Sequence, residues 1–349
     1  MLLFHVPSKK LNPQLQNLEV NEQKSEGQQM RKVLVTGGAG FIGSHLCTSL
    51  AEQNWEITIL DNLSSGSVTH IQHLLKSQPR KAKLLKGDCT NPTLVKKALR
   101  NAEVVFHLAA NPEVRLELSD PETCFRQNLY ATHVLLEQIK NSPDARLMIF
   151  TSTSTVYGEP AKIPTPEDYA PLKPISVYGA TKLASEALIS AYAHTYGFHA
   201  LIYRLANIIG PRSTHGVIYD FIEKLRKNPN QLEILGDGTQ TKSYLHIDDC
   251  IKAMLLPVEE TKNQVEIYNI GSEDQVNVKS IAQTVVKEMK LRNVKFKFTG
   301  GVDGGRGWKG DVKNMLLDIT KIKSLGWNPK SNSQQAVKKT AEELVQNKF

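Results

Sequence analysis

Residues 31–43 read RKVLVTGGAGFIG, and this stretch decides the fold. The apolar run VLVT at 33–36 predicts a buried parallel strand, and residues 41–53 have the period of an amphipathic helix. Between them, the spacing G-x-x-G-x-x-G permits a tight turn and a close backbone approach to a pyrophosphate, which a helix N-terminus attracts. Strand, turn and helix together predict a dinucleotide site with contacts from Gly37, Gly40, Phe41, Ile42 and Gly43.

The alternation of apolar runs and helical periods continues outward from this stretch. Further strands are predicted at 57–60, 82–85, 104–108, 147–151 and 200–205, and helices at 94–99, 128–140 and 178–196. Such alternation predicts an α/β fold with a doubly wound parallel Rossmann sheet. Beyond residue 210 the pattern weakens among Gly- and Asn-rich connections, which indicates a smaller mixed α/β C-terminal substrate lobe.

Three parts of the chain are therefore predicted. Residues 1–29 are polar and aperiodic and are expected to form a disordered leader, with Met30 as an alternative start. Residues 30–210 are expected to form the NAD-binding Rossmann domain, to which the chain returns near 243–271, at 246–249 and 266–271. Residues 211–349 are expected to form mainly the substrate-binding lobe, closed by a surface helix at 331–345.

Charge and cysteine content narrow the class of protein. The 349 residues include 43 Lys and Arg against 35 Asp and Glu, a net charge of +8, but the basic residues are scattered. Scattered charge is typical of solvated helix faces, so no nucleic-acid partner is predicted. Because no apolar run approaches the ~18 residues of a membrane helix and no signal peptide is evident, we expect a soluble cytoplasmic protein. The four cysteines are expected to be reduced thiols, and no metal site is predicted.

Asp61 ends the second predicted strand, 18 residues after Gly43. A carboxylate there accepts hydrogen bonds from ribose hydroxyls and repels a 2′-phosphate, so NAD is predicted rather than NADP. The next two strands end at GDC (87–89) and HLAA (107–110), on the carboxyl edge where a doubly wound sheet binds its ligand. We favour a structural role for His107. The further cofactor contacts predicted on this edge are Asn62, Ser65, Gly66, Asp88, Cys89, Leu108, Ala109 and Ala110.

Tyr178 and Lys182 are four residues apart on a predicted helix, so their side chains share a face. A free Tyr titrates at about 10, and a nearby cation stabilises its phenolate, which lets Tyr act as a base near neutral pH. The hydroxyl-rich turn TSTST at 151–155 is expected to place a third group near Tyr178. That hydroxyl can hold a substrate alcohol, or the carbonyl formed from it, so redox chemistry is predicted.

The motifs GGAGFIG, TSTSTVYG and YGATK, together with Asp61, resemble the extended short-chain dehydrogenase/reductase family. The likeness covers about residues 31–346 and lies within the NAD-dependent nucleotide-sugar epimerase and dehydratase group, closest to UDP-glucose 4-epimerases. It implies a UDP-sugar substrate and a homodimer formed through the helices at about 120–140 and 178–196.

The resemblance also implies roles for individual residues. Thr153, Tyr178 and Lys182 would be catalytic, with Lys182 holding the nicotinamide ribose and lowering the pKa of Tyr178. The additional cofactor contacts would be Asn128, Ser152 and Leu205, besides Tyr178 and Lys182. The substrate contacts would be Arg115, Thr153, Asn207, Arg212, Val217, Lys242, Arg306 and Lys309.

Two residues of the hydroxyl-rich turn favour one reaction within this group. Related 4,6-dehydratases have an Asp-Glu pair just after the catalytic Thr, and related decarboxylases have Glu at the second position, whereas this chain has Ser154 and Thr155. A hydroxyl does not exchange protons near neutral pH as a carboxyl does. The resemblance therefore implies a UDP-glucose/UDP-galactose 4-epimerase of galactose metabolism, which oxidises C4 transiently, lets the ketose rotate and returns the hydride.

Other functions stay open from sequence. A 4-epimerase of UDP-glucuronate or a UDP-N-acetylhexosamine, a related dehydratase, decarboxylase or reductase, and a non-catalytic NAD-binding regulator remain alternatives. Lys242 stands where relatives usually place an Arg that grips the diphosphate, and Trp308 stands where they often have Arg. Lys keeps the charge but loses the bidentate geometry of Arg, which bears on the identity of the sugar nucleotide.

Overall fold

A computed structural model of the chain describes residues 30–112 and 120–346. The strands are β1 Lys32–Thr36, β2 Glu56–Asp61, β3 Ala82–Lys86, β4 Val104–His107, β5 Leu147–Thr153, β6 His199–Leu205, β7 Asn207–Ile209, β8 Gln231–Ile234, β9 Thr241–Lys242, β10 Tyr244–His246, β11 Val265–Ile270, β12 Val276–Asn277, β13 Lys295–Phe298 and β14 Asn314–Met315. The helices are α1 Phe41–Glu52, α2 Val68–Ser77, α3 Pro92–Ala98, α4 Pro121–Cys124, α5 Ala131–Ile139, α6 Val177–Tyr196, α7 Val217–Lys227, α8 Ile247–Leu255, α9 Val278–Glu288, α10 Thr320–Lys323 and α11 Ser333–Gln346. Shorter turns are π-helical at Phe125–Tyr130 and 3₁₀ at Ser154–Tyr157 and Leu256–Glu259.

Seven parallel strands form the central sheet, in the order β11-β6-β5-β4-β1-β2-β3. β1 lies between β2 and β4, so that Val33 is opposite Ile57 on one side and Val104 on the other. The strand order reverses between β1 and β4, and a doubly wound sheet binds its ligand in the crevice at such a point. The predicted doubly wound Rossmann sheet is confirmed.

Helices cover both faces of this sheet. Successive residues of a strand point to opposite faces, so Val33 and Val35 enter one hydrophobic core while Leu34 enters another. The first core includes Leu46 of α1, and the second includes Leu135 of α5. Because both faces are buried, the central strands appear in the sequence as continuous apolar runs.

A third hydrophobic core lies among the C-terminal helices α7, α9 and α11, where Phe221, Val285 and Val337 are buried. Small sheets accompany it: the parallel pairs β7–β10 and β8–β13, and the three strands β12-β9-β14. The predicted surface helix at 331–345 is found at Ser333–Gln346. It is not simply a surface helix, because one face is buried through Ala336, Val337, Thr340, Ala341 and Leu344.

The two predicted returns to the central sheet have different outcomes. Val265–Ile270 pairs with β6 and forms the edge strand β11. The prediction for 246–249 is wrong, because Tyr244–His246 pairs with β7 outside the central sheet and α8 begins at Ile247. The domain boundary at 210 stays a prediction, and the described residues from Arg31 onward make one compact unit by their contacts.

Two helical features differ from the sequence prediction. α2 is an unpredicted helix that begins after Ser67, whose hydroxyl accepts a hydrogen bond from the backbone nitrogen of Thr69. The predicted helix at 128–140 begins as a π-helical turn, Phe125–Tyr130, and continues as α5. π-helical turns often occur at functional sites, and this one includes the buried Asn128.

The described residues also bear on the class of protein. The cysteines at 47, 89, 124 and 250 are buried and form no disulfide within the described part of the chain. No described helix combines the length and apolarity needed to cross a membrane. Within residues 30–112 and 120–346, no three His, Cys, Asp or Glu side chains are grouped as metal ligands would be.

Candidate active site

Three loops pack backbone against backbone at the carboxyl ends of β1, β2 and β4. At Gly37, where φ is +70°, an added Cβ would lie 2.7 Å from the backbone nitrogen of Ala109. At Gly43 it would lie 2.2 Å from the carbonyl oxygen of Gly37, and at Gly66 it would lie 2.8 Å from the carbonyl carbon of Ala39. These positions exclude a side chain because the loops are in direct backbone contact, and we call this packed region around Gly37, Gly43 and Gly66 the glycine cradle.

The first turn of α1 begins at the glycine cradle. Gly40 precedes the helix in an extended conformation, and Phe41, Ile42 and Gly43 supply the first backbone N–H groups of the helix. These groups lie at the positive end of the helix dipole, where an anion is stabilised. The cradle and the helix end therefore fit the diphosphate of a dinucleotide.

Asp61 lies at the end of β2 and is fixed by backbone hydrogen bonds. One carboxylate oxygen accepts from the nitrogen of Ala39 at 2.9 Å, and the other accepts from the nitrogen of Leu63 at 2.8 Å. Each oxygen has a second lone pair available to a ribose hydroxyl. Ser65 and Gly66 follow in the loop that packs against the cradle, so these predicted cofactor contacts lie close to Asp61.

Asp88, at the end of β3, is already saturated by protein donors. It accepts from the backbone nitrogen and hydroxyl of Thr90 at 2.9 and 2.7 Å, from Asn62 at 2.8 Å and from Gln127 at 3.2 Å. Burial favours the neutral acid, but these hydrogen bonds outweigh it and lower the pKa of Asp88. Burial raises the pKa of the adjacent Cys89 thiol to about 12, so this cysteine is neutral. The Asp88 carboxylate thus organises three loops of the cofactor edge.

The loop after β4 is held against β1. The backbone nitrogens of Leu108 and Ala109 donate to the carbonyl oxygen and hydroxyl of Thr36, at 3.1 and 3.3 Å. Ala110 follows in the same loop. His107 is fully buried, with its ring nitrogens 2.7 Å from the Thr36 hydroxyl and 3.0 Å from that of Thr132. Burial and the nearby lysine lower the pKa of His107 to about 3, in keeping with the structural role favoured for it.

Asn128 connects this loop to α6. Its side-chain oxygen accepts from the nitrogen of Asn111 at 2.7 Å, and its amide donates to the Asn111 carbonyl and the Thr181 hydroxyl, both at 3.3 Å. Thr181 is the residue before Lys182. The buried amide therefore supports the cofactor edge and the predicted catalytic helix at once.

Lys182 is 2% exposed and donates from Nζ to the carbonyl oxygen of Thr151 at 2.9 Å. Nζ lies 4.6 Å from the ring centre of Phe150 and 6.0 Å from that of Tyr178. Burial lowers the pKa of Lys182 to about 7, although the charge of Glu186 opposes this. Burial also raises the pKa of Tyr178, so in the protein alone the lysine does not produce a phenolate at neutral pH.

Thr153 ends β5 with a half-buried side chain. Its hydroxyl oxygen accepts from the backbone nitrogen and the hydroxyl of Thr155, both at 3.2 Å. Ser152 points the opposite way, because side chains alternate along a strand, and its hydroxyl donates to Glu186. The predicted catalytic and supporting hydroxyls are thus separated onto the two faces of β5.

The end of β6 adjoins this turn. Leu205 pairs with Thr153 and is buried. Two residues later, the side-chain amide of Asn207 donates to the carbonyl oxygen of Ser243 at 3.0 Å. Asn207 therefore lies beside the strand that carries Lys242.

Two of the predicted substrate cations meet at one residue, Asp311, where Lys242 contacts the carboxylate and Arg306 the backbone carbonyl. Lys242 Nζ is 2.5 Å from an oxygen of Asp311 and 5.6 Å from the ring centre of Trp308. Arg306 donates from Nε to the carbonyl oxygen of Asp311 at 3.0 Å and pairs with Glu159, just after the catalytic turn. A ligand diphosphate at this point would compete with Asp311 and Glu159 for the two cations.

The other predicted substrate contacts lie elsewhere. Arg212 is half-buried and donates to the Ser44 hydroxyl of α1 at 3.2 Å, on the cofactor side of the molecule. Val217 begins α7 and packs on the third core. Lys309 is exposed, and Arg115 lies outside the described residues.

Gly43→Ala tests the glycine cradle. The added methyl would overlap the Gly37 carbonyl, so we expect the free energy of unfolding to fall by about 1–3 kcal/mol. Binding of NAD, measured by fluorescence titration, should weaken as the cradle opens. Gly40→Ala is the matched control, since its Cβ would meet only the Gly37 oxygen, at 3.2 Å, and should lower stability less in chemical denaturation. Equal losses of stability in both variants would contradict the packing argument.

Comparison with known proteins identifies the family. The family described as GDP-mannose 4,6 dehydratase matches residues 34–340. A putative UDP-glucose 4-epimerase of Methanocaldococcus jannaschii is 33% identical over 320 residues, which are 90% of this chain and 99% of the relative. A crystal structure of a UDP-galactose 4-epimerase has a TM-score of 0.81 at 43% identity and covers 91% of this chain and 100% of its own.

A second solved structure, a UDP-glucuronic acid 4-epimerase of Bacillus cereus with UDP-glucuronic acid and NAD, has a TM-score of 0.79 at 31% identity, with 90% and 99% covered. The dTDP-D-glucose 4,6-dehydratases, including that of Homo sapiens at 32% identity over 320 residues (89% of each chain), are also similar. The chain belongs to this family and, as its motifs predict, to the nucleotide-sugar epimerase and dehydratase group of the extended short-chain dehydrogenases/reductases. Because both reactions occur among the relatives, the reaction has to be argued from the site.

Proposed function

We propose that the protein is an NAD-dependent 4-epimerase that interconverts UDP-glucose and UDP-galactose. The observation that carries this proposal is the turn after β5. Ser154 is buried there, and the Thr155 hydroxyl donates a hydrogen bond to the Thr153 hydroxyl. Neither has the carboxyl group that elimination of water from the sugar requires. Glu159, the first carboxylate after the turn in the sequence, is paired with Arg306.

NAD is the cofactor, held by the glycine cradle and Asp61, and when bound it supplies the acceptor for the C4 hydride and the donor that returns it. Within the proposal, Tyr178 takes the proton of the C4 hydroxyl and gives it back. Thr153 holds that oxygen through its half-exposed hydroxyl. Lys182, in its ammonium form, stabilises the developing phenolate, because an opposite charge nearby favours the ionised form of Tyr.

The substrate diphosphate is proposed to lie near Lys242 and Arg306. Their meeting at Asp311 supports this position, because the two side chains supply positive charge at one edge of the site. Arg212 is proposed to act through α1 on the cofactor side rather than on the sugar nucleotide. Asn207 is proposed to support the diphosphate from its position beside Ser243.

A homodimer formed through α4, α5 and α6 is part of the proposal. Phe125 and Tyr130, between α4 and α5, are 51% and 40% exposed, and Tyr196 at the end of α6 is 50% exposed. Aromatic side chains are enriched in protein–protein interfaces, so this face suits a second copy of the chain. The cytoplasmic location stays a prediction.

A panel of sugar nucleotides tests the function. Purified protein is incubated separately with UDP-galactose, UDP-glucuronate, UDP-N-acetylglucosamine and dTDP-glucose, and products are separated by chromatography. We expect UDP-glucose from UDP-galactose, with no net NADH and no loss of water or CO₂, because the turn has no carboxylate. A 4-keto-6-deoxy product would instead indicate a dehydratase, and turnover of UDP-glucuronate or UDP-N-acetylglucosamine alone would move the proposal to those sugars. Failure with every nucleotide would favour the non-catalytic NAD-binding regulator.

A further inference from the structure

A buried ion pair lies behind the proposed catalytic residues. Glu186 of α6 and Arg204 of β6 are 4% and 3% exposed. The guanidinium and the carboxylate form a bidentate ion pair, in which Nε is 3.2 Å from both oxygens and Nη2 is 2.8 Å from one of them. Sequence patterns gave no role to Glu186, although its spacing of four residues from Lys182 places both on one helix face.

Glu186 and Lys182 hold the same strand end. Lys182 donates to the Thr151 carbonyl, and the Ser152 hydroxyl donates to Glu186. Thr153, the proposed catalytic hydroxyl, is the next residue of β5. Two successive residues before Thr153 are therefore tied to α6, one by a lysine and one by a glutamate.

Arg204 extends the contact to the catalytic turn. Its Nη1 donates to the Tyr157 hydroxyl and to the Glu167 carbonyl, both at 3.0 Å. The Tyr157 hydroxyl donates in turn to the side-chain oxygen of Asn269 at 2.8 Å. Tyr157 ends the turn that begins at Ser154, so the ion pair links both ends of the turn to α6.

The charged and titratable groups facing Lys182 come from three elements. Tyr178 and Glu186 lie on its own helix, His107 lies on β4, and Arg204 lies on β6 behind Glu186. His107 is neutral, because burial lowers its pKa to about 3. Glu186 thus supplies the negative charge that acts on the buried ammonium.

Stability alone is a weak reason for such a pair, since the desolvation of two buried charges often exceeds their mutual attraction. We propose that Glu186 is a positioning residue, which keeps Lys182 in its ammonium form and fixes the end of β5 that carries Thr153. The inference rests on the proposed function, in which Lys182 and Thr153 act on the substrate. Glu186 itself touches neither substrate nor cofactor in this proposal.

Titration of Lys182 by NMR tests this directly. The full chain is labelled with ¹³C at lysine Cε, and the Lys182 signal is assigned by its absence from Lys182→Arg. Glu186→Gln keeps the shape of the side chain but removes its charge, so its Lys182 midpoint should fall by about one pH unit or more. Glu186→Asp keeps the charge and should stay within about half a unit of wild type. Glu342→Gln, on α11, is the control and should leave the midpoint unchanged.

An unmoved midpoint in a folded Glu186→Gln variant would overturn the proposal, even if its melting temperature fell, because a purely structural pair predicts only that fall. If the single variant does not fold, Glu186→Gln with Arg204→Met removes both charges and leaves neither unpaired. A smaller fall of the midpoint is expected there, because losing the Arg204 charge offsets part of the effect, and an unchanged or raised midpoint counts against the proposal. The titration needs no substrate, so an absence of epimerase activity would contradict the proposed function without affecting this result.

Discussion

Tyr178→Phe is expected to lower the rate of UDP-galactose epimerisation by about 10²–10⁴-fold, the usual contribution of a positioned general acid–base group. The ring remains to fill the site, so NAD binding and the melting temperature should change little. The physical reason is that the phenol is the proposed carrier of the C4 hydroxyl proton. Steady-state rates of UDP-glucose formation measure the loss, and fluorescence titration measures NAD binding.

Tyr192→Phe is the matched control for this prediction. It makes the same chemical change on α6, where the Tyr192 hydroxyl donates to Glu137 of α5 at 2.6 Å. Its activity should remain within a few-fold of wild type. A Tyr178→Phe variant that keeps full activity would remove Tyr178 from the mechanism and would favour a proton carrier elsewhere.

Lys182→Met should abolish epimerisation and yet stabilise the NAD-free protein. Burial lowers the pKa of Lys182 to about 7 from its ordinary value of 10.5, so the folded protein disfavours the charged form. Between those two pH values the unfolded chain binds the extra proton, and the stability of the wild type therefore rises with pH. Below pH 7 the full cost of burying the ammonium is present, whereas Met avoids it and keeps a similar volume.

The stabilisation should be on the order of 2 kcal/mol below pH 7, since loss of the bond to Thr151 offsets part of the gain. It should shrink as pH rises from 7 toward 10. Chemical denaturation of the two proteins at several pH values measures this difference. Lys338→Met, on the exposed side of α11, is the control and should show no such pH-dependent gain. If the difference in stability between Lys182→Met and wild type did not change with pH, or had the opposite sign, the buried ammonium would not be the cause of the stabilisation.

The sheet was predictable because its signals are local. The run at 33–36, the glycine spacing and Asp61 are each read within a few residues, and each lies in the structure where the pattern places it. The π-helical turn at Phe125–Tyr130 was not predictable in this way, since its sequence FRQNLY contains no Gly or Pro that would mark a departure from the α-helix. The strand that reaches residue 246 is Tyr244–His246, and a partner distant in sequence, β7, decides its pairing, while residues 247–249 begin α8.

The candidate site also combines features that local sequence signals predict with features that depend on distant residues. The spacing of Tyr178 and Lys182 predicts a shared helix face, but it contains no information on burial, which changes the pKa of both groups. Asp88 was predicted as a cofactor contact, and its four hydrogen bonds come from residues 62, 90 and 127, which only the folded chain brings together. Lys242 likewise pairs with Asp311, which is 69 residues away in the sequence, and Arg306 pairs with Glu159, which is 147 residues away.

The carboxylate at the end of β2 has a further consequence for redesign of the coenzyme preference. Asp61 is predicted to discriminate between ribose forms by its charge, but it also accepts a hydrogen bond from the backbone nitrogen of Ala39 and so holds that loop in place. Replacing it with a residue that can bind a 2′-phosphate would remove the hydrogen bond to the Ala39 loop along with the negative charge. Selectivity for the coenzyme and rigidity of the loop thus depend on the same residue. A variant that uses the other coenzyme would therefore need a new hydrogen bond elsewhere to hold this loop.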